Sequence, residues 1–306
     1  MQTKKLFYFI TNKNNNRMNR SLLASAAMGD YYGAPFEFHP NKNLQHIEVV
    51  INSGGAPRSE FTDDSIMTFA IAKWLTGGSH NRYRLISILK DFVRRYPSSY
   101  GTHFGSWALS AETKPYNSCG NGSAMRVSPI GWWAQSLDEC LELAKQSAEV
   151  THNHPEGIKG AQAIAAVIYL QRAGWPVEDI CDYIEKTFQY NLNRTYESIR
   201  ADYKWDGTCQ GCVPEAIVIW RDEPDYGKAI AKAIALGGDA DTLACIVGSM
   251  YICEPDDEAE DARIFPDKFS DIFWNLVYSN PEFCSICIDF DKEVRRRGLY
   301  VDENGF

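Results

Sequence analysis

The sequence predicts an all-α protein, a compact single-domain orthogonal helical bundle. Apolar residues recur with the period of an α-helix along most of the chain, while strand-like alternation is rare. No change in composition divides the 306 residues, and 44% of them are hydrophobic, enough for a large core. We therefore expect one domain over residues 18–306.

The predicted helices are apolar periodic segments bounded by glycine, proline or capping residues. In the first half they cover residues 20–28, 63–75, 83–95, 123–133 and 137–150. In the second half they cover residues 155–170, 176–188, 214–220, 225–236 and 241–253, with further helix expected in residues 254–306. The β-branched segment 47–51 is the one predicted strand. Segments 29–62, 97–122 and 189–213 are rich in Gly, Asn and Pro and are predicted loops, on which a helical scaffold would carry a binding site.

The composition excludes several classes of protein. A formal net charge of −9 argues against a general nucleic-acid binder. No apolar run reaches the ~18 residues of a membrane-spanning helix. Residues 1–17 lack the cleavage site of a signal peptide, and we expect them to be a disordered extension, with Met18 as an alternative start.

Cysteine usage indicates a reducing compartment. The nine cysteines come without a signal peptide, so free thiols and a cytoplasmic location are expected. The pairs Cys209/Cys212 and Cys284/Cys287 have the Cys-x-x-Cys form. Their separation far exceeds that of common zinc modules, which disfavours a zinc site.

Two acidic clusters carry the strongest chemical signal. The first is Thr62-Asp63-Asp64 and the second is Asp239-Ala240-Asp241-Thr242, each directly before an apolar helix. Asp and Thr are favoured helix N-caps, and capping is the simpler explanation of either cluster alone. Each cluster nevertheless offers two carboxylates and a hydroxyl, more than one cap uses, and a buried carboxylate needs a partner. Because such oxygen ligands suit Mg²⁺ or Mn²⁺, we interpret the clusters as halves of one metal site.

Two further segments suggest a ligand. Glu37 lies between two phenylalanines, where apolar surroundings would fit a carboxylate for proton transfer, although a surface glutamate is the alternative. The segment Gly120-Asn121-Gly122-Ser123 precedes a helix and would offer backbone N–H groups to an anion, although a simple turn explains it equally.

The segment Thr151-His152-Asn153-His154-Pro155 leads into another predicted helix. Its imidazoles would cap a helix, contact a ligand or bind a metal. Imidazole suits softer metals than the acidic clusters imply, so a structural or substrate-contacting role is favoured.

Taken in order, these motifs resemble those of the ADP-ribosylglycohydrolases. The matching segments are Gly29-Asp30…Gly33…Glu37, Thr62-Asp63-Asp64, Gly120–Arg126, Thr151–Pro155 and Gly237-Gly238-Asp239-Ala240-Asp241-Thr242, and they span about residues 18–253. Each motif is weak alone, but five in the same order are specific.

The resemblance implies a binuclear metal cleft with two divalent cations, Mg²⁺ or Mn²⁺. Thr62, Asp63, Asp64 and Asp241 would hold one ion, and Asp239, Asp241 and Thr242 the other, with Asp241 bridging. Glu37 and Asp63 are the candidate catalytic carboxylates. Gly120, Asn121, Gly122 and Ser123 would hold the diphosphate, and His154 would line the ADP-ribose cleft.

The expected function is a metal-dependent hydrolase that removes ADP-ribose from a modified acceptor, with protein arginine as the first candidate. Serine-linked or free ADP-ribose derivatives are alternative substrates. A non-catalytic ADP-ribose-binding module, such as an immunity protein, is the alternative from another class. A monomer without nucleic-acid or membrane partners is favoured.

Overall fold

A computed structural model describes residues 21–252 and 263–299, and within these ranges the secondary structure is helical apart from two isolated β-bridges. The sixteen α-helices are α1 (Ala24–Gly33), α2 (Leu44–Asn52), α3 (Asp63–Thr76), α4 (Arg82–Arg95), α5 (Thr102–Leu109), α6 (Gly122–Met125), α7 (Ser128–Trp133), α8 (Leu137–Glu149), α9 (Pro155–Arg172), α10 (Val177–Phe188), α11 (Tyr196–Asp202), α12 (Cys209–Asp222), α13 (Tyr226–Leu236), α14 (Ala240–Ser249), α15 (Asp267–Val277) and α16 (Pro281–Arg296). The predicted all-α class is confirmed. The prediction for residues 1–17 falls outside the described residues. The predicted helix end at Cys253 is wrong, because α14 ends at Ser249 and Met250 is its C-cap.

The predicted strand at residues 47–51 is wrong, because this segment belongs to helix α2. Asn43 caps the helix by accepting a hydrogen bond from the backbone N–H of His46 at 3.2 Å. Ile47 and Ile51 are buried one turn apart, while Val49 is 66% exposed. The apolar residues therefore follow a helical face, which the β-branched composition obscured.

Three predicted loops also contain short helices. The described parts of segments 29–62, 97–122 and 189–213 include α2, α5 and α11. The predicted helix over 123–133 is broken into α6 and α7, with Pro129 in the first turn of α7. Helix α12 begins five residues before the predicted start at Pro214, because Thr208 accepts a hydrogen bond from Gly211 N at 3.2 Å and caps it.

Helices α1 and α14 make the most extensive helix–helix contact in the described structure. Glycines of α1 face α14 at the crossing. A Cβ atom on Gly29 would lie 2.1 Å from the carbonyl oxygen of Ala244, and one on Gly33 would lie 2.5 Å from Cα of Asp241. The predicted end of the first helix at Gly29 is therefore wrong, since Gly29 is the point of closest approach and the helix continues to Gly33.

The buried apolar side chains form one continuous cluster to which the C-terminal helices contribute. Helix α15 packs on α1, and α16 packs on α3, which places these helices behind the segment that begins at Asp63. No helix within the described residues has the length and apolarity needed to cross a membrane. One domain over residues 18–306 remains our proposal.

The close approach of α1 and α14 gives a stability prediction. We expect Gly29→Ala to lower the free energy of unfolding by about 1–3 kcal/mol or more, because the added methyl group overlaps a backbone carbonyl in a packed interface. Gly105→Ala on α5 is the matched control, since its nearest neighbour would lie at 3.8 Å. Urea unfolding of both variants measures the difference, and equal stability would contradict the proposed contact.

Candidate metal centre

The two acidic clusters meet where helices α3 and α14 begin. Helix α3 begins at Asp63 and helix α14 at Ala240, so both clusters lie at helix N-termini. The hydroxyl of Thr242 donates a hydrogen bond to Asp64 Oδ2 across the two helices at 3.2 Å. Asp64 and Thr242 are 1% and 5% exposed. Residues from both clusters therefore share one buried site.

Helix capping explains part of one cluster only. Thr62 is the N-cap of α3, and its Oγ1 accepts a hydrogen bond from Asp64 N at 3.4 Å. Asp239 stands at the N-cap of α14, but its side chain makes no capping hydrogen bond. Its Oδ2 instead accepts from Asn121 Nδ2 at 2.7 Å. Capping thus leaves the carboxylates of the second cluster unexplained.

Asp30 on helix α1 belongs to the same site, although the sequence motifs gave it no role. It is fully buried and accepts hydrogen bonds from Thr62 N (2.9 Å), Thr62 Oγ1 (2.7 Å), Ser65 N (3.1 Å) and the Ser65 hydroxyl. Carboxylate oxygens of Asp30, Asp64 and Asp241 lie within 4.8 Å of one another. An acidic residue inside an otherwise apolar helix was the signal available in the sequence.

A second set of three carboxylates lies next to the first set. Oxygens of Glu37, Asp239 and Asp241 also lie within 4.8 Å of one another. Glu37 follows the short 3₁₀ helix Ala34–Phe36 and is partly exposed. Asp241 is therefore common to both groups. Asp63 lies beside them on the wall of the cleft and belongs to neither group of three.

The proximity of these acids changes their protonation. Burial, together with the charge of Asp239, raises the pKa of Glu37 to about 7. Burial raises the pKa of Asp63 to about 8. Burial and the charge of Asp241 raise the pKa of Asp64 well above its ordinary value. Such a cluster is stable only with bound protons or a cation, because like charges repel strongly in a low dielectric.

The donor set fits a divalent cation. Asp64 Oδ1 is buried and has no hydrogen-bond partner in the described part of the chain. Leaving such an oxygen unsatisfied costs about 1–3 kcal/mol or more. Carboxylate and hydroxyl oxygens are the ligands that Mg²⁺ and Mn²⁺ prefer. An ion bound between Asp64 and Asp241 would satisfy that oxygen and offset the repulsion between the two acids.

A cleft of about 460 Å³ opens from this centre. Glu37, Asp63, Asp64, Asp239, Asp241 and Thr242 line its acidic end. The Gly120–Gly122 loop, His152 and the side chains of Phe104 and Tyr116 line other parts of the wall. Arg126 is the one lysine or arginine among the described residues that line it. The cleft wall therefore combines a cluster of carboxylates with neutral residues and one buried guanidinium.

The Gly120–Gly122 loop lies on the cleft wall but uses some of its N–H groups internally. Gly120 N donates to Ser118 Oγ at 3.0 Å, and Asn121 N donates to Gly207 O at 2.9 Å. Ser123 is fully buried and donates to a backbone carbonyl, that of Gly157, at 2.7 Å. Their contact with a diphosphate stays a prediction, and the hydrogen bond from Asn121 to Asp239 adds a second role for Asn121.

Of the two neighbouring histidines, His152 lines the cleft. His154 is the N-cap of helix α9, where its Nδ1 accepts a hydrogen bond from Glu156 N at 3.1 Å, and it is not among the lining residues of the described structure. The predicted contact between His154 and a substrate stays a prediction, and His152 is the imidazole placed to make such a contact.

An all-α protein with a buried carboxylate centre at one end of a cleft is the class that the fold and the site define. The profile described as ADP-ribosylglycohydrolase matches residues 12–251 of the chain. The chain therefore belongs to the ADP-ribosylglycohydrolase family.

Individual relatives are distant. The chain is 28% identical to mouse "ADP-ribosylhydrolase ARH3" over 182 residues, which are 50% of this chain and 49% of the mouse protein. It therefore matches about half the length of that relative. It is 23% identical to "ADP-ribosylarginine hydrolase Tri1" of Pseudomonas putida over 260 residues, covering 76% of this chain and 68% of Tri1. A solved structure titled "ADP-ribosylglycohydrolase-related protein complex" superposes with a TM-score of 0.68 over 92% of this chain and 99% of that chain at 18% identity, which shows a shared fold.

The carboxylate common to both groups gives a test of metal binding. We expect Mg²⁺ or Mn²⁺ to raise the melting temperature of the protein, because a ligand at about 100 times Kd stabilises the native state by about 2.7 kcal/mol. Asp241→Asn should lose most of this rise. Differential scanning calorimetry with metal and with EDTA measures both effects.

A matched control is Asp291→Asn. Asp291 is 5% exposed and accepts a hydrogen bond from Leu22 N at 3.0 Å, so it is a buried carboxylate outside the cleft. This variant should keep the full metal response. A full response in Asp241→Asn, or an equal loss in the control, would contradict the assignment of the centre.

Proposed function

We propose that the protein is a metal-dependent hydrolase that removes ADP-ribose from a modified acceptor. The observation that carries the proposal is the position of Glu37 and Asp241, whose carboxylate oxygens lie within 4.8 Å of each other at the acidic end of a 460 Å³ cleft. A cleft of this size is typical of a site for a small ligand. Family membership names ADP-ribose as that ligand.

In this proposal Glu37 is the general base. It is partly exposed to the cleft, and burial and Asp239 raise its pKa to about 7, so its carboxylate suits proton transfer near neutral pH. Asp63 lies on the same wall and is the alternative base. Asp30 would hold Thr62 in place through two hydrogen bonds.

The ligand sets proposed for two divalent ions overlap the two groups of carboxylates in Asp64, Asp239 and Asp241. Thr62, Asp63, Asp64 and Asp241 would hold one ion, and Asp239, Asp241 and Thr242 the other, with Asp30 added to the first set by the geometry. When bound, the ions would supply Lewis acidity toward a water molecule and the ribose hydroxyls. The ionised acids around the anomeric carbon would favour the positive charge of an oxocarbenium-like transition state.

The Gly120–Gly122 loop, which lies on the cleft wall beside the carboxylates, suits the diphosphate. Gly120 and Gly122 leave the wall open to close approach, and the side chains of Arg126 and His152 lie behind them. A phosphate at the acidic end would instead meet carboxylates of its own charge. The charge distribution therefore favours a ligand with its hydroxyls at the carboxylates and its phosphates at the loop.

For the acceptor we propose protein arginine first. The name of the Pseudomonas relative refers to ADP-ribosylarginine, and that match covers 76% of this chain. A serine-linked or free ADP-ribose derivative is the alternative substrate. We also propose a reducing, intracellular setting, from the free thiols among the described cysteines.

The activity is tested with arginine- and serine-ADP-ribosylated peptides. We expect release of ADP-ribose from the arginine-linked peptide with Mg²⁺ or Mn²⁺ and none with EDTA, because the carboxylate centre depends on its cation. Chromatographic detection of free ADP-ribose gives the rates. Tight binding of ADP-ribose without release from any acceptor would replace the hydrolase by a binding module.

The role of Glu37 is tested by Glu37→Gln. We expect kcat to fall by about 10²–10⁴-fold, the usual contribution of a general base, while ADP-ribose binding measured by calorimetry changes little. Glu215→Gln is the matched control, since Glu215 is 7% exposed and is not among the lining residues of the cleft in the described structure. Unchanged kcat in Glu37→Gln would transfer the role to Asp63.

A further inference from the structure

Behind the glycine loop, three polar side chains form a buried chain: Arg126, Thr151 and His152. They are 1%, 0% and 5% exposed. Arg126 Nη2 donates hydrogen bonds to Thr151 Oγ1 and to Ser147 O, each at 2.9 Å. Thr151 Oγ1 and His152 Nδ1 are 2.7 Å apart and hydrogen-bonded. A short polar chain therefore runs from a buried cation to an imidazole on the cleft wall.

The direction of these hydrogen bonds follows from what each group is able to donate. A guanidinium has donors only, so Thr151 Oγ1 accepts from Arg126. The hydroxyl proton of Thr151 then has one acceptor among the described residues, His152 Nδ1. If Nδ1 carried a proton, the hydroxyl proton would be buried without an acceptor, which is unfavourable. Nδ1 therefore accepts, and the proton of the neutral ring is on Nε2.

The charged form of His152 is disfavoured on independent grounds. Burial, and next the charge of Arg126, lower the pKa of His152 well below its ordinary value. An imidazolium would also place a proton on Nδ1, against the hydroxyl proton of Thr151. The neutral ring with a proton on Nε2 is the one form compatible with both hydrogen bonds that link the three side chains.

The Nε2 edge of the ring faces the glycine loop. A Cβ atom on Gly122 would lie 3.0 Å from Nε2, and one on Gly120 would lie 3.6 Å from it. In the part of the chain that the structure describes, Nε2 has no hydrogen-bond partner, and His152 lines the cleft. Nε2 is therefore placed to donate to a ligand.

We propose that Arg126 and Thr151 are positioning residues that fix His152 as its neutral Nε2–H tautomer, so that the cleft wall presents a permanent hydrogen-bond donor beside the Gly120–Gly122 loop. The Nε2–H group would bind a ligand atom that accepts a hydrogen bond and carries no proton, such as a phosphate oxygen. The tautomer follows from the polar chain alone. Only the identification of that acceptor with the diphosphate of ADP-ribose rests on the proposed function.

The tautomer is measured directly by NMR on full-length protein with ¹⁵N-labelled histidine rings. The chain has six histidines, and His152→Gln identifies the resonances of His152 by their loss. We expect a protonated Nε2, an unprotonated Nδ1 and a slowly exchanging hydroxyl proton of Thr151 coupled to Nδ1. A proton on Nδ1, or an imidazolium at neutral pH, would overturn the proposal.

Thr151→Val and Thr151→Ser separate the hydroxyl from the shape of the side chain. Valine should remove the hydroxyl resonance and move the Nδ1 resonance of His152 to the position of an imidazole nitrogen that accepts no hydrogen bond. Serine should retain both signals. If the Nδ1 resonance is the same in the valine variant as in the wild-type protein, Thr151 does not hold the ring and the proposal fails.

Binding of ADP-ribose, measured by calorimetry, provides the functional readout. We expect Thr151→Val to weaken binding by about tenfold, the value of a hydrogen bond to a charged acceptor, and Thr151→Ser by much less. Equal affinity of all three proteins would overturn the link between the tautomer and the ligand. If the wild-type protein does not bind ADP-ribose while the NMR signals are as expected, the proposed function fails and the tautomer stands.

Discussion

The burial of several carboxylates at one point is the constraint on which the rest of the structure depends. Asp30, Asp64 and Asp241 come from helices α1, α3 and α14, and all three are nearly inaccessible to solvent. A buried charge without a partner costs more free energy than a single packing contact provides. The surroundings treat the two acids differently. Asp30 accepts four hydrogen bonds from α3 and its cap, whereas one oxygen of Asp64 accepts none from the described residues. Asp30 thus anchors the start of α3, and Asp64 is left available to a cation.

The helices reach this arrangement because α1 has no side chain where α14 crosses it. Gly29 and Gly33 bring the backbones close enough that a single methyl group would overlap Ala244 O or Asp241 Cα. This approach puts Asp30 and Asp241 within reach of each other and of Asp64. The relative positions of these carboxylates are therefore set by backbone contact between helices in the core. Loops contribute Glu37 and Asn121, which adjoin the centre from the side of the cleft.

The sequence was most informative where acidic residues stood next to long apolar segments. Asp64 and Asp241 were predicted because acids preceded helices that are apolar all round, while Asp30 was given no role because the segment from residue 29 was predicted to be a loop. The strand at residues 47–51 failed because β-branched residues outweighed the i, i+4 spacing of Ile47 and Ile51. Which of His152 and His154 lines the cleft depends on the direction in which the chain enters α9. Tertiary packing sets that direction, and the spacing of residues in the sequence does not predict it.

The hydrogen bonds of Arg126, the one lysine or arginine among the described residues that line the cleft, bear on how the carboxylate centre and the proposed phosphate-contacting loop lie side by side. If Arg126 paired with a carboxylate of the centre, it would neutralise a metal ligand and withdraw its own charge from the wall. Its Nη2 instead donates to two neutral oxygens, Ser147 O and Thr151 Oγ1. Only protons or a metal ion then balance the negative charge of the acids. Arg126 instead orients the hydroxyl of Thr151, which in our proposal keeps the proton of the neutral His152 ring on Nε2. An uncharged donor at the wall adds no positive charge that would neutralise the carboxylates or repel a metal ion beside them. In the proposed function, a ligand would therefore place its hydroxyls at the carboxylates and its phosphates at the Gly120–Gly122 loop.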